Sequence, residues 1–282
     1  MVIISDEYDS STRGEYFSSP NKNLGNKLFI YGCARLISDI LNVNLICPEN
    51  SIVRRENQKT LEYENQFFPF GSIMNRKEIN QPIFLIDDKQ VFKYKTIQNI
   101  IDSNKNTGFK VQSYFSKYDY IKPYKKEIRE MYKKLTLPSR DTNDIIILLR
   151  NSNMTSDFIL PDNYYLDILE KENFENLYVS LDHTNKHEKL LKKLEKYNPI
   201  ILDLKILELF SEITSFKKII ASQGTFSFWA CFLSNAEIIY WPMTNDGPNS
   251  NNEKWAGGVN LKVDDEEKYK FIYVNNIFEN EK

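Results

Sequence analysis

The sequence is poor in the residues that build metal and disulfide sites. Its 282 residues include only three cysteines and two histidines. Cys33, Cys47 and Cys231 are widely spaced in apolar contexts, with no CxxC pair, and their odd number argues against a disulfide framework. His183 and His187 are four apart and could share a helix face, but no HExxH pattern and no nearby cysteine accompanies them, so no metal site is expected. There is also no excess of basic charge. Lys and Arg number 37 against 39 Asp and Glu, a formal net charge of −2, so the general footprint of a nucleic-acid binder is missing. The local cluster in 122–134 reads as a solvated helix face. No run of 18 apolar residues exists, so no membrane span is expected. The first residues lack the basic and long apolar regions of a secretory signal, and a soluble, cytoplasmic chain is the expectation.

What is present is enough apolar material for a substantial core. Apolar residues make up 41% of the chain and aromatics 13%, in a length that suits one large domain or two ordinary ones. Strands are expected at 2–5, 43–48 and 82–87, with a long amphipathic helix over 23–42 and a charged helix over 118–135. The polar loop 137–144 divides the chain. The expected organisation is an N-terminal domain over 1–140, a C-terminal domain over 141–265, and a segment 266–282 packing back on the first domain.

The second half alternates cleanly. Strands at 144–150, 176–182, 199–203, 217–222 and 237–242, the last of the chain, are separated by helices at 162–171, 184–198, 204–215 and from 225 onward. Buried strands alternating with helices predict a parallel sheet with helices on both faces. Ligands bind such sheets at the carboxyl ends of the strands. Arg150, Asp182, Asp203 and Ser222–Thr225 fall at those ends, on one rim.

The rim chemistry suits an anion. The stretch Ser222, Gln223, Gly224, Thr225, Phe226 and Ser227 is polar and then turns apolar as a helix begins, where backbone N–H groups and the helix dipole favour negative charge. Arg150 would offer a bidentate fork to phosphate. Asp182 would accept donors from a base edge or a ribose. Gly25 and Asn26 open the first helix, one permitting close approach and the other giving a donor and an acceptor. Each feature has a plainer alternative: Ser222 or Thr225, Asp182 and Asn26 as helix caps, and Arg150 as a structural ion pair.

Four segments, in order, resemble the alpha-1,2-fucosyltransferases and their relatives. Residues 23–45 are similar to the pattern G-x-G-N-Q-x-F-Q-Y-A, matched at Gly25, Asn26, Phe29 and Tyr31, with Asn23 and Lys27 departing from it. Residues 145–153 resemble the strand and loop H-x-R-R-G-D, matched at Arg150 alone. Leu148, Asn151, Ser152 and Asn153 replace the other named positions. Residues 177–183 resemble F-x-F-S-D-D, with Asp182 at the first Asp and His183 at the second. Residues 221–242 resemble S-N-S-S-F-S-W-W-x-A-x-L and a following strand, through Ser222, Thr225, Phe226, Ser227, Trp229 and Leu233.

The resemblance implies an α/β fold of GT-B type, two Rossmann-like halves with parallel sheets facing a cleft, with 1–140 on the acceptor side and 141–265 binding the nucleotide sugar. It implies inverting, metal-independent transfer of fucose from GDP-fucose to a glycan acceptor, without a cofactor. Arg150 and Ser222–Ser227 would hold the diphosphate, Asp182 would read the base or ribose, and Asn26 would reach the cleft from the other half. The altered loop loses one cation and one carboxylate, which leaves Arg150 as its sole strong phosphate cation. Asp157 is the candidate base for the acceptor hydroxyl, or else a cap. Two other functions stay open: a glycosyltransferase with another donor, such as a xylosyltransferase, and a non-catalytic nucleotide- or sugar-binding module.

Overall fold

The computed structural model describes residues 2–4, 24–43, 45–46, 83–87, 96–104, 108–112, 116–149, 160–181, 187–244 and 260–274. Arg150, Asp157 and Asp182 lie outside the described residues, as do Cys47 and His183. The chain divides into two units, Met1–Lys134 and Leu135–Lys282.

The first unit carries β1 (Val2–Ile4), α1 (Leu24–Leu41), β2 (Leu45–Ile46), β3 (Ile83–Asp87), α2 (Ile97–Asp102), β4 (Gly108–Gln112), α3 (Tyr118–Ile121) and α4 (Lys125–Met131). The four strands among its described residues are all parallel, in the order β2-β1-β4-β3. Neither α2 nor β4 was expected from the sequence. α1 is less amphipathic than expected, since every residue from Leu28 to Ala34 is buried. Asn42, at φ 50°, ends it in the left-handed region that Asn tolerates better than most residues.

Gly32 lets α1 approach its neighbours, because a Cβ there would stand 3.0 Å from Tyr132 Oη and 3.3 Å from Ile128 Cδ1. The same Tyr132 hydroxyl donates to the Leu28 carbonyl at 2.6 Å. The charged helix expected over 118–135 is broken into α3, a 3₁₀ turn (Lys122–Tyr124), α4 and a second 3₁₀ turn (Lys133–Leu135). Pro123 explains the first break: it has no N–H to continue the helical ladder.

The second unit carries β5 (Ile145–Leu149), α5 (Asp162–Leu169), β6 (Leu177–Leu181), α6 (Glu188–Leu194), β7 (Ile200–Leu202), α7 (Ile206–Thr214), β8 (Lys218–Ile220), α8 (Thr225–Leu233), β9 (Ile238–Thr244) and β10 (Tyr269–Val274). The six strands among its described residues are all parallel, in the order β10-β9-β8-β5-β6-β7. The strand expected to be the last, 237–242, is followed by another. Tyr269–Val274 pairs with β9 from Tyr269↔Ile239 to Val274↔Thr244, so this part of the 266–282 segment is a strand of the second unit's sheet. Pro242 is accommodated because β8 pairs with β9 only as far as Ile220↔Tyr240, leaving β10 alone beside the proline.

Alternation along the strands puts helices on both faces. Ile145, Ile147, Leu149, Leu177 and Val179 share one core with Tyr164, Tyr165 and Ile168 of α5 and Leu190 and Leu194 of α6. Tyr240 packs against that core, while its neighbour Trp241 meets Phe228 of α8 with ring centroids 6.4 Å apart. Arg140 anchors the start of this unit. It reaches Asp144 and Glu212, donates to Ser215 Oγ at 3.0 Å, and stacks 3.8 Å over the Phe216 ring.

The α/β class expected from the sequence is the one observed. Two parallel-sheet units in succession are the components of the GT-B-type fold that the resemblance implies, and the second has the doubly wound Rossmann order.

Candidate functional site

The chain enters the second sheet at β5, builds outward through β6 to β7, then returns to place β8 on the other side of β5. The strand order therefore reverses between β5 and β8, and the loops leaving their carboxyl ends diverge. In open parallel sheets that divergence is where ligands bind. The loop after β8 is the polar stretch Ala221–Gly224, and α8 begins at Thr225.

Three features fix this turn. Gly224 is the N-cap of α8 with φ 112° and ψ 172°, a conformation open essentially to glycine alone. It has no side chain with which to cap, so the alternative of Ser222 or Thr225 as N-cap is not what the helix uses. The first intrahelical bond follows, with Phe228 N–H donating to the Gly224 carbonyl at 2.9 Å. Ser222 and Ser227, each 3% exposed, pair through their hydroxyls at 2.7 Å and tie the strand end to the first turn of the helix. Gln223 is buried at 1% exposure, whereas Thr225 and Phe226 are half-buried. The Phe226 ring meets Phe210 of α7 edge-on at 5.5 Å.

The third feature was not found from the sequence. Tyr164 of α5 directs its phenolic O–H at the carbonyls of Ala221, 3.0 Å away, and Tyr240, 2.9 Å away. Ala221 N–H itself donates to the Tyr240 carbonyl at 3.0 Å. One buried hydroxyl thus holds the base of the turn against β9. Burial raises the Tyr164 phenol well above its usual pKa, so it stays a neutral donor. The only sequence signal was a pair of tyrosines opening a helix after β5, which does not separate a positioning tyrosine from a core one.

Below the turn, Tyr240 and Lys218 converge on Glu172. Tyr240 donates to one carboxylate oxygen, and Lys218 Nζ lies 2.9 Å from the other. Burial alone would raise the Glu172 carboxyl, but these two partners outweigh it and hold it below the ordinary carboxylate range.

α8 is apolar on every side. The sequence predicts one inward face, Phe226, Trp229 and Leu233, yet every residue from Ser227 to Leu233 is buried. Burial pushes the Cys231 thiol up to about 12, so it is no nucleophile.

Among the predicted site residues, the structure brings Ser222, Gln223, Gly224, Thr225, Phe226 and Ser227 together on one turn. Gly25 and Asn26 lie in the first turn of α1, in the other unit, with Gly25 buried and Asn26 half-buried. β5 ends at Leu149 and β6 at Leu181, each one residue short of Arg150 and Asp182, which with Asp157 fall outside the described residues. Among the described residues, no group of three His, Cys, Asp or Glu side chains could hold a metal ion, and no helix is long and apolar enough to cross a membrane.

No protein-family model matches the chain, and no curated protein matches it. Three solved structures to which it is similar carry nucleotides or a nucleotide sugar. Escherichia coli heptosyltransferase WaaC with ADP aligns at a TM-score of 0.46 and 11% identity, over 96% of this chain and 92% of that one. A mutant of Arabidopsis thaliana FUT1 in complex with GDP aligns at 0.46 and 10%, over 84% and 70%. WaaC with ADP-2-deoxy-2-fluoro heptose aligns at 0.40 and 11%, over 96% and 92%.

Proposed function

We propose that this protein is a glycosyltransferase that takes its sugar from a nucleoside diphosphate sugar and seats the diphosphate at the turn between β8 and α8. The observation that carries the proposal is Gly224. A glycine at φ 112° starts a buried helix without a capping side chain, at the position in the sheet where the strand order reverses. Such a helix start presents backbone N–H groups and the positive end of the dipole to an anion. The sequence resemblance supports the finer reading: GDP-fucose as donor, a glycan hydroxyl as acceptor, inversion, and no metal ion.

In this reading the acceptor oxygen bonds to the anomeric carbon as the bond from that carbon to the β-phosphate oxygen breaks. The leaving diphosphate takes up the electron pair, stabilised by the α8 N–H groups and by Arg150. Asp157 accepts the hydroxyl proton. Ser222 and Ser227 act by shaping the turn, since their hydroxyls are bonded to each other. Asp182 selects the base.

A thermal-shift comparison of GDP, UDP and CMP, with and without EDTA, tests this. GDP is expected to stabilise most, by mass action, and EDTA to change nothing. Equal shifts for the three nucleotides would remove the guanine assignment, and an EDTA-sensitive shift the metal-free one. Arg150→Lys is expected to weaken GDP binding by about 2 kcal/mol, because a point charge does not replace a two-pronged contact. Turnover on a panel of nucleotide sugars then separates a fucosyl donor from another sugar. Binding without any turnover would leave only the binding module.

A further inference from the structure

Four of the seven exposed large apolar side chains among the described residues fall within seven consecutive positions: Ile200 (42% exposed), Ile201 (44%), Leu204 (37%) and Ile206 (55%). They line β7, the strand at one edge of the second sheet, and the approach to α7. Edge strands are ordinarily protected by charge, by proline or by cover, because their outer backbone groups are open to pairing. Pro199 precedes β7, but the stretch after it carries apolar residues on an edge that no other strand pairs among the described residues.

The order of residues there is self-complementary. Leu202, Asp203, Leu204, Lys205 and Ile206 place one acid and one base symmetrically about Leu204. Asp203 and Lys205 are both exposed, and neither side chain has a hydrogen bond or ion pair among the described residues. The Lys205 backbone N–H lies 3.4 Å from Glu208 Oε2 at the start of α7, and its backbone is extended at φ −63° and ψ 153°.

We propose that this edge is the contact between two copies of the chain, related by a two-fold axis at Leu204. A two-fold contact is isologous, so each residue meets its symmetry counterpart. With the copies running antiparallel, Leu204 packs on the partner's Leu204 and Leu202 meets Ile206 from both sides. Asp203 faces the partner's Lys205, and Lys205 faces the partner's Asp203. Leu202, Leu204 and Ile206 supply the attraction, and the two ion pairs fix the register. A hydrophobic strip with one acid and one base at equal distance from its centre suits its own copy better than a uniformly charged surface. The inference is independent of the proposed enzymatic activity.

Sedimentation analysis of the full chain over a concentration series tests it. The parent is expected to dimerise, and Leu204→Asp to sediment as a monomer. Asp203→Lys places like charges together twice and is expected to raise the dimer dissociation constant about tenfold. Lys205→Asp is expected to do the same by repulsion between acids. The double exchange Asp203→Lys with Lys205→Asp restores the pairs, as does an equimolar mixture of the two single variants. That rescue is something a merely misfolded variant would not show. A parent that stays monomeric throughout overturns the proposal, and so does a dimer indifferent to both charge changes. A monomer that floats with anionic phospholipid vesicles would assign the strip to a membrane surface instead and equally overturn it.

Discussion

The hydroxyls of Ser222 and Ser227 lie 2.7 Å apart, buried, and join the end of β8 to the first turn of α8. Neither is simply a donor waiting for a ligand. Ser227→Ala leaves the Ser222 hydroxyl buried without this partner, which costs about 1–3 kcal/mol. We therefore expect Ser227→Ala to lower the unfolding free energy measurably, with a nucleotide affinity loss that follows from the distorted turn. Chemical denaturation checks the first and a GDP titration the second. Unchanged stability would mean that the pair contributes nothing.

Tyr164→Phe removes one hydroxyl and keeps the ring. The carbonyls of Ala221 and Tyr240 lose a shared donor, although Ala221 N–H still serves Tyr240. A loss of about 1 kcal/mol in stability is expected. If the hydroxyl positions the turn, the GDP-induced thermal shift should also fall. A variant that is destabilised but binds GDP as well as the parent would make Tyr164 a core residue only.

The alternation of buried runs with helical segments made the second sheet legible, because strands covered on both faces read as continuous apolar stretches. Ile145–Leu149 is such a run, and it is buried throughout. β10 escaped notice because Tyr269, Lys270, Phe271, Ile272, Tyr273 and Val274 belong to an edge, where Lys270 and Tyr273 are exposed and the apolar run is interrupted. Pro123 and the break it makes were open to reading, but the periodicity of charge around it suggested one helix. At the site, Gly224 and the serines were visible in order. Their division of labour was not, since pairing between residues five apart depends on the backbone of the turn. Tyr164, 57 positions before Ala221, is a contact of tertiary folding that no local pattern carries.

Acid should weaken the contacts at the start of the second unit. Burial pushes the Asp144 carboxyl up, but hydrogen bonds from Thr142, Asn176 and Arg140, with the guanidinium charge, outweigh it and hold it below the ordinary range. A carboxyl with a lowered folded pKa binds fewer protons folded than unfolded. Its contribution is complete above the unfolded value, about 3.9, and is lost as pH falls through the folded value. Asp144→Asn should therefore flatten the acid limb of the stability–pH curve and lower stability near neutrality. A limb of unchanged slope would show that this carboxyl does not drive acid unfolding.

Gly224→Ala separates a phosphate-binding turn from a plain helix start. The conformation at φ 112° and ψ 172° is costly for any residue with a Cβ, by about 1–3 kcal/mol. The chain can relieve that strain only by rotating peptide groups that flank the start of α8, the same groups proposed to face the diphosphate. Lost stability alone would not discriminate, so a control of similar cost is required. Ile145→Val fits: Ile145 is fully buried at the start of β5, the end opposite the switch point, and the change costs about 0.5–1.5 kcal/mol. Both variants should unfold at lower temperature. Only Gly224→Ala should also lose most of the GDP-induced shift, because only there do the N–H groups move. Equal GDP shifts in the two variants would place the nucleotide away from this turn, and Gly224 would then serve the fold alone.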